Sequence, residues 1–198
     1  VKVRGNNVIE RLYADQMPAP FLSLFVEDCI AKGRDYNDGG PRYNSTYIQI
    51  TAPGSCTDCL AAIKAHVYDR GDMTMDELLT ATDADFAGHE RTRLLLLNRS
   101  PKYGNDDAAA DDILEELFDA VFREVDGRPN TKGGFYHVNY LSTTCHVYFG
   151  SLTGATTDGR KAWQPLSDGI SPVQGADTKG PTAVVRSAAR MDHLKTGG

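Results

Sequence analysis

The stretch from Ser142 to Thr182 constrains the fold of this chain more than any other segment. It begins with alternating polar and apolar residues and continues with about thirty residues rich in Gly, Pro, Asp, Ser and Thr that show no hydrophobic period. A loop of that length inside a compact domain is uncommon and is usually functional when it is ordered. We therefore look for the function of the chain first in this segment.

The residues before the loop alternate in the way that predicts a β-strand over 135–149. One predicted face carries Tyr140, Ser142, Thr144, His146 and Tyr148, and the other carries Leu141, Thr143, Cys145, Val147 and Phe149. The apolar face would pack on helices. The polar face could meet solvent, or it could line a barrel interior that holds a polar ligand. The pattern leaves both interpretations open.

The other elements follow from hydrophobic spacing and from capping signals. A strand is predicted over 42–51. Helices are predicted over 18–32, from Thr57 or Asp58 to 69, over 74–81 with a Thr74–Glu77 capping box, over 85–98, over 108–125 and over 182–194. Trp163, the single tryptophan, is expected to pin the long loop to the body. Strands separated by helices predict an α/β layer or barrel.

Composition limits the classes of partner. A net charge of −6 argues against nucleic acid and anionic membranes, and no apolar run reaches the roughly 20 residues that span a bilayer. Four cysteines are too few for a disulfide framework, which suggests a reducing, cytoplasmic environment. Both ends of the chain look cut, so we expect a portion of a longer polypeptide.

Three groups of residues could carry chemistry. Cys56 and Cys59 form a CxxC at a predicted helix start, which is either a redox or metal site or a pair of small buried residues. The aspartates at the start of the 108–125 helix either complement its dipole or bind a divalent ion. The histidines have no partner at a suggestive spacing; they are His66, His89, His137 and His193. No metal site is predicted, and Cys29 is expected to be a core thiol.

Ordered motifs resemble those of the glycyl radical enzymes, in the pyruvate formate-lyase and glycerol dehydratase branch. The motifs are GGPRYN (39–44), DCLAAIK (58–64), PKYGNDD (101–107), GATTDGR (154–160), LSDG (166–169), GAD (175–177) and GPT (180–182). Within the family, NTKGG (130–134) and LSTTCHVYFG (141–150) are most similar to the trans-4-hydroxy-L-proline dehydratase group.

The resemblance implies a fold and a chemistry. The fold is a ten-stranded barrel of two half-barrels wrapped in helices, and residues 1–198 would be an internal portion of its second half-barrel, with no separate second domain. In the family, a glycyl radical oxidises a cysteine to a thiyl radical, which abstracts a substrate hydrogen before a group leaves. The radical is installed by a radical SAM [4Fe-4S] activating enzyme.

Two motifs that this chemistry needs do not occur in the chain. The family's cysteine lies in a GCVE-like loop and its radical glycine in an RVAGY-like loop. No catalytic residue and no bound cofactor is therefore assigned here, and the chain alone is expected to be inactive. Its expected partners are the remainder of a full-length chain, the activating enzyme, a second copy in a homodimer and a small-molecule substrate, best 4-hydroxyproline.

Substrate contacts are carried over from the resemblance to the polar face of the predicted strand. A threonine of the TTCHVYF segment lines the pocket in hydroxyproline-type members, and alternation favours Thr144 over Thr143. Further candidates are Tyr43, Tyr47, His146 and Tyr148, whose alternative role is hydrogen bonding that stiffens the barrel without touching the substrate. The alternatives for the whole protein are a diol dehydratase, a C–S or C–N lyase, a formate acetyltransferase, or a non-catalytic barrel module.

Overall fold

The computed structural model describes residues 1–197, which fall into two compact units. The first comprises residues 1–48, 121–139 and 197, and the second comprises residues 49–120 and 140–196. The helices and strands are α1 (Lys2–Gln16), α2 (Pro20–Ser23), α3 (Cys29–Lys32), β1 (Thr46–Gln49), α4 (Pro53–Ile63), α5 (Met75–Asp83), α6 (Glu90–Arg99), α7 (Ala108–Val125), β2 (Tyr136–Asn139), α8 (Cys145–Leu152) and α9 (Pro181–Ala188). A π-helical turn, Lys64–Asp69, continues α4.

The first unit is organised around strands β1 and β2, which pair side by side in a two-stranded sheet. Ile48, Tyr136 and Val138 are buried, and so is the Cys29 thiol, as predicted. The Tyr136 hydroxyl donates a 2.7 Å hydrogen bond to Asn7 Oδ1 on α1. Buried aromatic and β-branched side chains with one satisfied hydroxyl thus hold α1 to the sheet.

The second unit has a helical core. Its centre is a cluster of buried apolar side chains, Ala62, Leu78, Ala81, Phe86 and Leu96. The predicted capping box is present, because the Thr74 side chain accepts from the Glu77 N–H and the Glu77 carboxylate accepts from the Thr74 N–H. The strongly periodic helix predicted over 108–125 is confirmed as α7.

Several predicted boundaries were wrong. The helix predicted over 18–32 is interrupted before Cys29, where Asp28 has a φ of +74° and its carboxylate pairs with Arg42. The strand predicted over 42–51 is only Thr46–Gln49, and helix α4 begins at Pro53, ahead of the predicted cap. Helix α6 begins at Glu90 and not at Asp85, because Asp85 and Phe86 have positive φ angles. Helix α1 was not predicted.

The largest error concerns the predicted strand over 135–149. Strand β2 ends at Asn139, and residues from Cys145 to Leu152 form a helix, α8. The alternation of Thr144, His146 and Tyr148 therefore does not place them on one face of a strand. The reason is tertiary: the N–H of Thr143 donates to the carboxylate of Asp168, and the chain turns into α8. Alternation over such a run is a strand signal, and the tertiary contacts of the corner overrode it here.

The long loop after α8 is irregular up to Pro181, as predicted, but Trp163 does not pin it. That side chain is 70% exposed. The buried Arg160 guanidinium holds the loop instead, since it donates to the carbonyls of Gly154 at 2.6 Å and Gln164 at 2.7 Å. A charged group with five donors can satisfy several loop carbonyls at once, which an indole cannot.

Candidate functional site

The best candidate site is the turn that leads into helix α8. Residues 140–144, here called the α8 corner, connect the end of β2 to Cys145. The Gln49 side chain donates a 2.6 Å hydrogen bond to the Leu141 carbonyl, and the Asp168 carboxylate accepts a 2.9 Å bond from the Thr143 N–H. The backbone of the corner is thus held from two sides by side chains of the second unit.

The two threonines of the α8 corner, Thr143 and Thr144, differ in their hydrogen bonds. The Thr143 hydroxyl accepts a long hydrogen bond of 3.4 Å from the Cys145 N–H at the start of α8. Thr144 is exposed, and its hydroxyl makes no hydrogen bond among residues 1–197. A free hydroxyl can both donate to and accept from a ligand. Thr144 is thus accessible to a ligand, and its role as a substrate contact stays a prediction.

His146 is the second residue of α8, and one hydrogen bond orients its ring. Its Nδ1 is 2.7 Å from the Thr143 carbonyl, which can only accept, so Nδ1 carries the hydrogen in this arrangement. Asp168 Oδ1 lies 3.4 Å from the same nitrogen. Nε2 has no hydrogen-bond partner in the described part of the chain and is free to meet a ligand.

The remaining predicted contacts are distributed between the two units. Tyr148 is on α8 with Thr144 and His146 and is exposed. Tyr43 and Tyr47 belong to the first unit; Tyr43 is 83% exposed, and the Tyr47 ring lies 5.6 Å from the ring of His137. Thr144 and Tyr148 are four residues apart and share one side of the first turn of α8, whereas His146 is two residues from each and lies on the other side. Whether any of the five contacts substrate stays a prediction.

The sequence analysis missed Asp168 and Gln49 as parts of this corner. Ser167-Asp168-Gly169 was interpreted only as a turn. Gly169 has a φ of +48°, and a Cβ atom there would lie 2.7 Å from the Tyr140 carbonyl oxygen. A glycine at such a close approach beside an acidic residue is the one signal that could have pointed to a contact with the corner.

A cavity of about 660 Å³ in the second unit is surrounded by several of the family-like motifs. Asp58, Lys102, Asp158 and Lys179 are among its lining residues. Lys102 Nζ donates to the Asp158 carbonyl at 3.1 Å and lies 3.8 Å from Asp58 Oδ2. Burial raises the pKa of Asp58 to about 7, against the opposing effect of Lys102. The predicted substrate contacts do not line this cavity.

The cysteine pair does not favour redox or metal chemistry. Burial raises the pKa of the Cys59 thiol to about 12, which disfavours the thiolate that such chemistry needs. Cys56 is exposed, so the two cysteines are not the pair of small buried residues that was the alternative. No three His, Cys, Asp or Glu side chains within residues 1–197 are placed to hold a metal ion. No helix in the same range is long and apolar enough to cross a bilayer.

The aspartates at the start of α7 hold α9. Asp106 pairs with Arg186 at 3.1 Å, and Asp112 pairs with Arg190. Asp111 is buried and accepts a 2.9 Å hydrogen bond from the Ser187 hydroxyl. Two of the aspartates also lie where the helix-dipole prediction places them: the Asp107 carboxylate accepts from the Ala109 N–H, and Asp111 is in the first turn of α7.

Comparison with known proteins assigns the family. The family model for pyruvate formate lyase-like proteins matches residues 1–150, so the chain belongs to that family. It is 53% identical over 198 residues to the trans-4-hydroxy-L-proline dehydratase of Clostridioides difficile, which covers 100% of this chain and 25% of that protein. It is 36% identical to a (2S)-3-sulfopropanediol dehydratase from Klebsiella oxytoca, covering 97% of this chain and 24% of the relative.

Solved structures give the same assignment for the fold. The crystal structure of the C. difficile hydroxyproline dehydratase with trans-4-hydroxy-L-proline bound matches with a TM-score of 0.94 at 53% identity, over 100% of this chain and 25% of that one. The glycerol-bound B12-independent glycerol dehydratase of Clostridium butyricum matches with a TM-score of 0.89 at 41% identity, over 96% and 24%. The chain thus has the fold of a portion of a glycyl radical enzyme barrel and spans about a quarter of the length of these relatives.

Proposed function

We propose that this chain is part of a glycyl radical dehydratase that removes water from 4-hydroxyproline. The observation that carries the proposal is 53% identity to the C. difficile hydroxyproline dehydratase over all 198 residues. Identity to the K. oxytoca sulfopropanediol dehydratase is 36% over a similar range. The difference favours hydroxyproline within a family whose members share a fold and differ in substrate.

In this proposal the chain contributes a wall of the substrate pocket. The radical chemistry itself comes from the glycyl radical and the thiyl cysteine, whose motifs are not in this sequence. The Thr144 hydroxyl is available to hydrogen-bond a hydroxyl or carboxylate of the substrate. His146 offers Nε2, and Tyr148, Tyr43 and Tyr47 are further candidates to line the pocket. The isolated chain is inactive because it lacks both radical-bearing residues.

The context of the full-length enzyme is also part of the proposal. A radical SAM enzyme with a [4Fe-4S] cluster would install the glycyl radical. The active protein would be a cytoplasmic homodimer in an anaerobic cell, because dioxygen destroys such radicals. Within it, residues 1–198 would form one internal portion of the pyruvate formate-lyase-type domain.

A second candidate is another glycyl radical reaction on the same fold. It is favoured by relatives with different names, such as an isethionate sulfite-lyase from Oleidesulfovibrio alaskensis at 37% identity over 203 aligned residues. A diol dehydratase or an acyltransferase would use the same framework. A truncated, non-catalytic barrel module is the remaining alternative.

The test uses the full-length gene product, co-expressed without oxygen with its activating enzyme. Electron paramagnetic resonance should show a glycyl radical, and trans-4-hydroxy-L-proline should be converted to a product lighter by one water. A radical signal with consumption of glycerol, 1,2-propanediol or isethionate instead would support the second candidate. Repeated failure to install any radical in an intact protein would support the non-catalytic module.

A further inference from the structure

The segment Ser167-Asp168-Gly169 connects the start of α4 to the α8 corner: Ser167 contacts α4, and Asp168 and Gly169 contact the corner. Ser167 anchors the segment: its hydroxyl accepts from the Ser55 N–H at 2.9 Å, and its N–H donates to the Ser55 hydroxyl at 2.8 Å. Both serines are buried. Two reciprocal hydrogen bonds at a buried position fix the backbone of the segment relative to the start of α4.

Asp168 extends from this anchored backbone to the corner. Its Oδ1 accepts the Thr143 N–H at 2.9 Å and lies 3.4 Å from His146 Nδ1. Its own carbonyl accepts from the Ser171 N–H at 2.8 Å, which closes a turn around the residue. The carboxylate is therefore fixed at one end by a turn and at the other by the amide that precedes Thr144.

Gly169 brings the two backbones into direct contact. A Cβ atom at this position would lie 2.7 Å from the Ser142 hydroxyl and 2.9 Å from the Ser142 nitrogen. The absence of a side chain is what lets Asp168 reach the Thr143 amide. The corner consequently has little freedom to rotate the Ser142–Thr143 peptide plane, which lies one residue before Thr144 and restricts where its backbone can go.

We propose that Asp168 is a positioning residue that fixes the Thr144 hydroxyl toward the substrate. The inference rests on the proposed function, because it takes Thr144 as a substrate contact. Asp168 itself acts through the Thr143 amide and does not need to touch the substrate. A hydrogen bond from an amide to a carboxylate is stronger than one between neutral groups, which suits a holding role.

The experiment is a double-mutant cycle in the activated full-length enzyme, with the variants D168A, T144A and D168A/T144A. We expect D168A to raise the KM for trans-4-hydroxy-L-proline by about tenfold, the factor that corresponds to one lost hydrogen bond. The glycyl radical yield should stay at the wild-type level. In the D168A background, T144A should add much less than it does alone, because the hydroxyl is already misplaced.

Two further variants separate positioning from stability. D168N keeps an oxygen that can accept the Thr143 N–H but loses the negative charge, so its KM should lie between those of the wild type and D168A. Asp177 lies in the same loop, and D177A is the matched control that should change neither KM nor radical yield. If D168A does not accumulate as a soluble protein, the KM of D168N still tests the proposal. A tenfold rise in the KM of D168N would overturn it.

The outcomes distinguish this inference from the proposed function. Independent, multiplying effects of D168A and T144A would overturn the positioning role. A radical-bearing wild-type enzyme that ignores 4-hydroxyproline would overturn the proposed substrate only. The same cycle would then be measured with whichever of glycerol, 1,2-propanediol or isethionate is consumed, and coupling between Asp168 and Thr144 would still be expected.

Discussion

The backbone N–H of Tyr103 donates a 2.8 Å hydrogen bond to Asp58 Oδ1. The two residues belong to two of the family-like motifs, DCLAAIK and PKYGNDD, which lie far apart in the sequence. Both side chains are buried, and Asp58 Oδ2 has no hydrogen-bond partner within residues 1–197. The Tyr103 hydroxyl in turn donates to the Ile170 carbonyl at 2.8 Å, so a single residue ties α4 to the long loop.

The first prediction concerns pH. The pKa of Asp58 rises from 3.8 to about 7 on burial, so the folded protein holds this proton more tightly than the unfolded chain does. The protonated Asp58 carboxyl therefore makes its whole contribution to the stability of the fold below pH 4. That contribution is lost as the pH rises toward 7. The loss is on the order of 4 kcal/mol.

D58N should remove this pH dependence, since an amide does not titrate in this range and its oxygen still accepts from Tyr103. Hydrogen exchange of the peptide that contains Tyr103, compared between wild type and D58N at each pH, measures the effect. The ratio of the wild-type protection factor to the D58N protection factor should change between pH 4 and 7 and stay constant above about pH 8. A constant ratio throughout would show that the pKa of Asp58 is not raised.

A second prediction concerns the serine pair that anchors the long loop. S167A leaves the buried Ser55 N–H without an acceptor, which should cost about 1–3 kcal/mol of unfolding free energy. S151A is the control, because the Ser151 hydroxyl is exposed and bonds only to the Tyr148 carbonyl within its own helix. Denaturant unfolding should separate the two variants clearly; equal midpoints would mean that the reciprocal bonds do not hold the loop.

A third prediction uses three glycines with different surroundings. At Gly169 both a positive φ and a close neighbour oppose a side chain, whereas Gly175 has a φ of +81° with open space and Gly154 has neither constraint. We expect G154A to be neutral, G175A to cost about 1 kcal/mol, and G169A to cost clearly more. G169A should also raise the KM of the full-length enzyme, because the α8 corner must move; a wild-type KM would argue against that contact.

A fourth prediction concerns the isolated 198-residue chain. Large apolar side chains of the first unit are exposed, including Phe21 at 75% and Phe25 at 72%. Extensive exposed apolar surface promotes association, so sedimentation should show oligomers or aggregates, and a hydrophobic dye should bind. F21S/F25S should increase the monomer fraction. A monomer with one sharp unfolding transition in the unmodified chain would contradict this expectation.

The sequence by itself determined the elements whose signals are local. Helix α7 has an apolar side chain at each helical turn, and the Thr74–Glu77 capping box satisfies backbone donors within four residues. Neither depends on distant partners, and both were predicted correctly. The order of motifs such as PKYGNDD identified the family, because a family match needs residue identity and order but no coordinates.

Only the tertiary structure decided where strand β2 ends and how the α8 corner is held. The alternation from Tyr140 to Phe149 predicts a strand, yet the chain forms α8, and the corner before α8 is held by Asp168, whose carboxylate accepts the Thr143 N–H from a different part of the chain. The buried Arg160 and the raised pKa of Asp58 have the same origin. Each results from long-range contacts and from exclusion of water, which no local pattern of residues records.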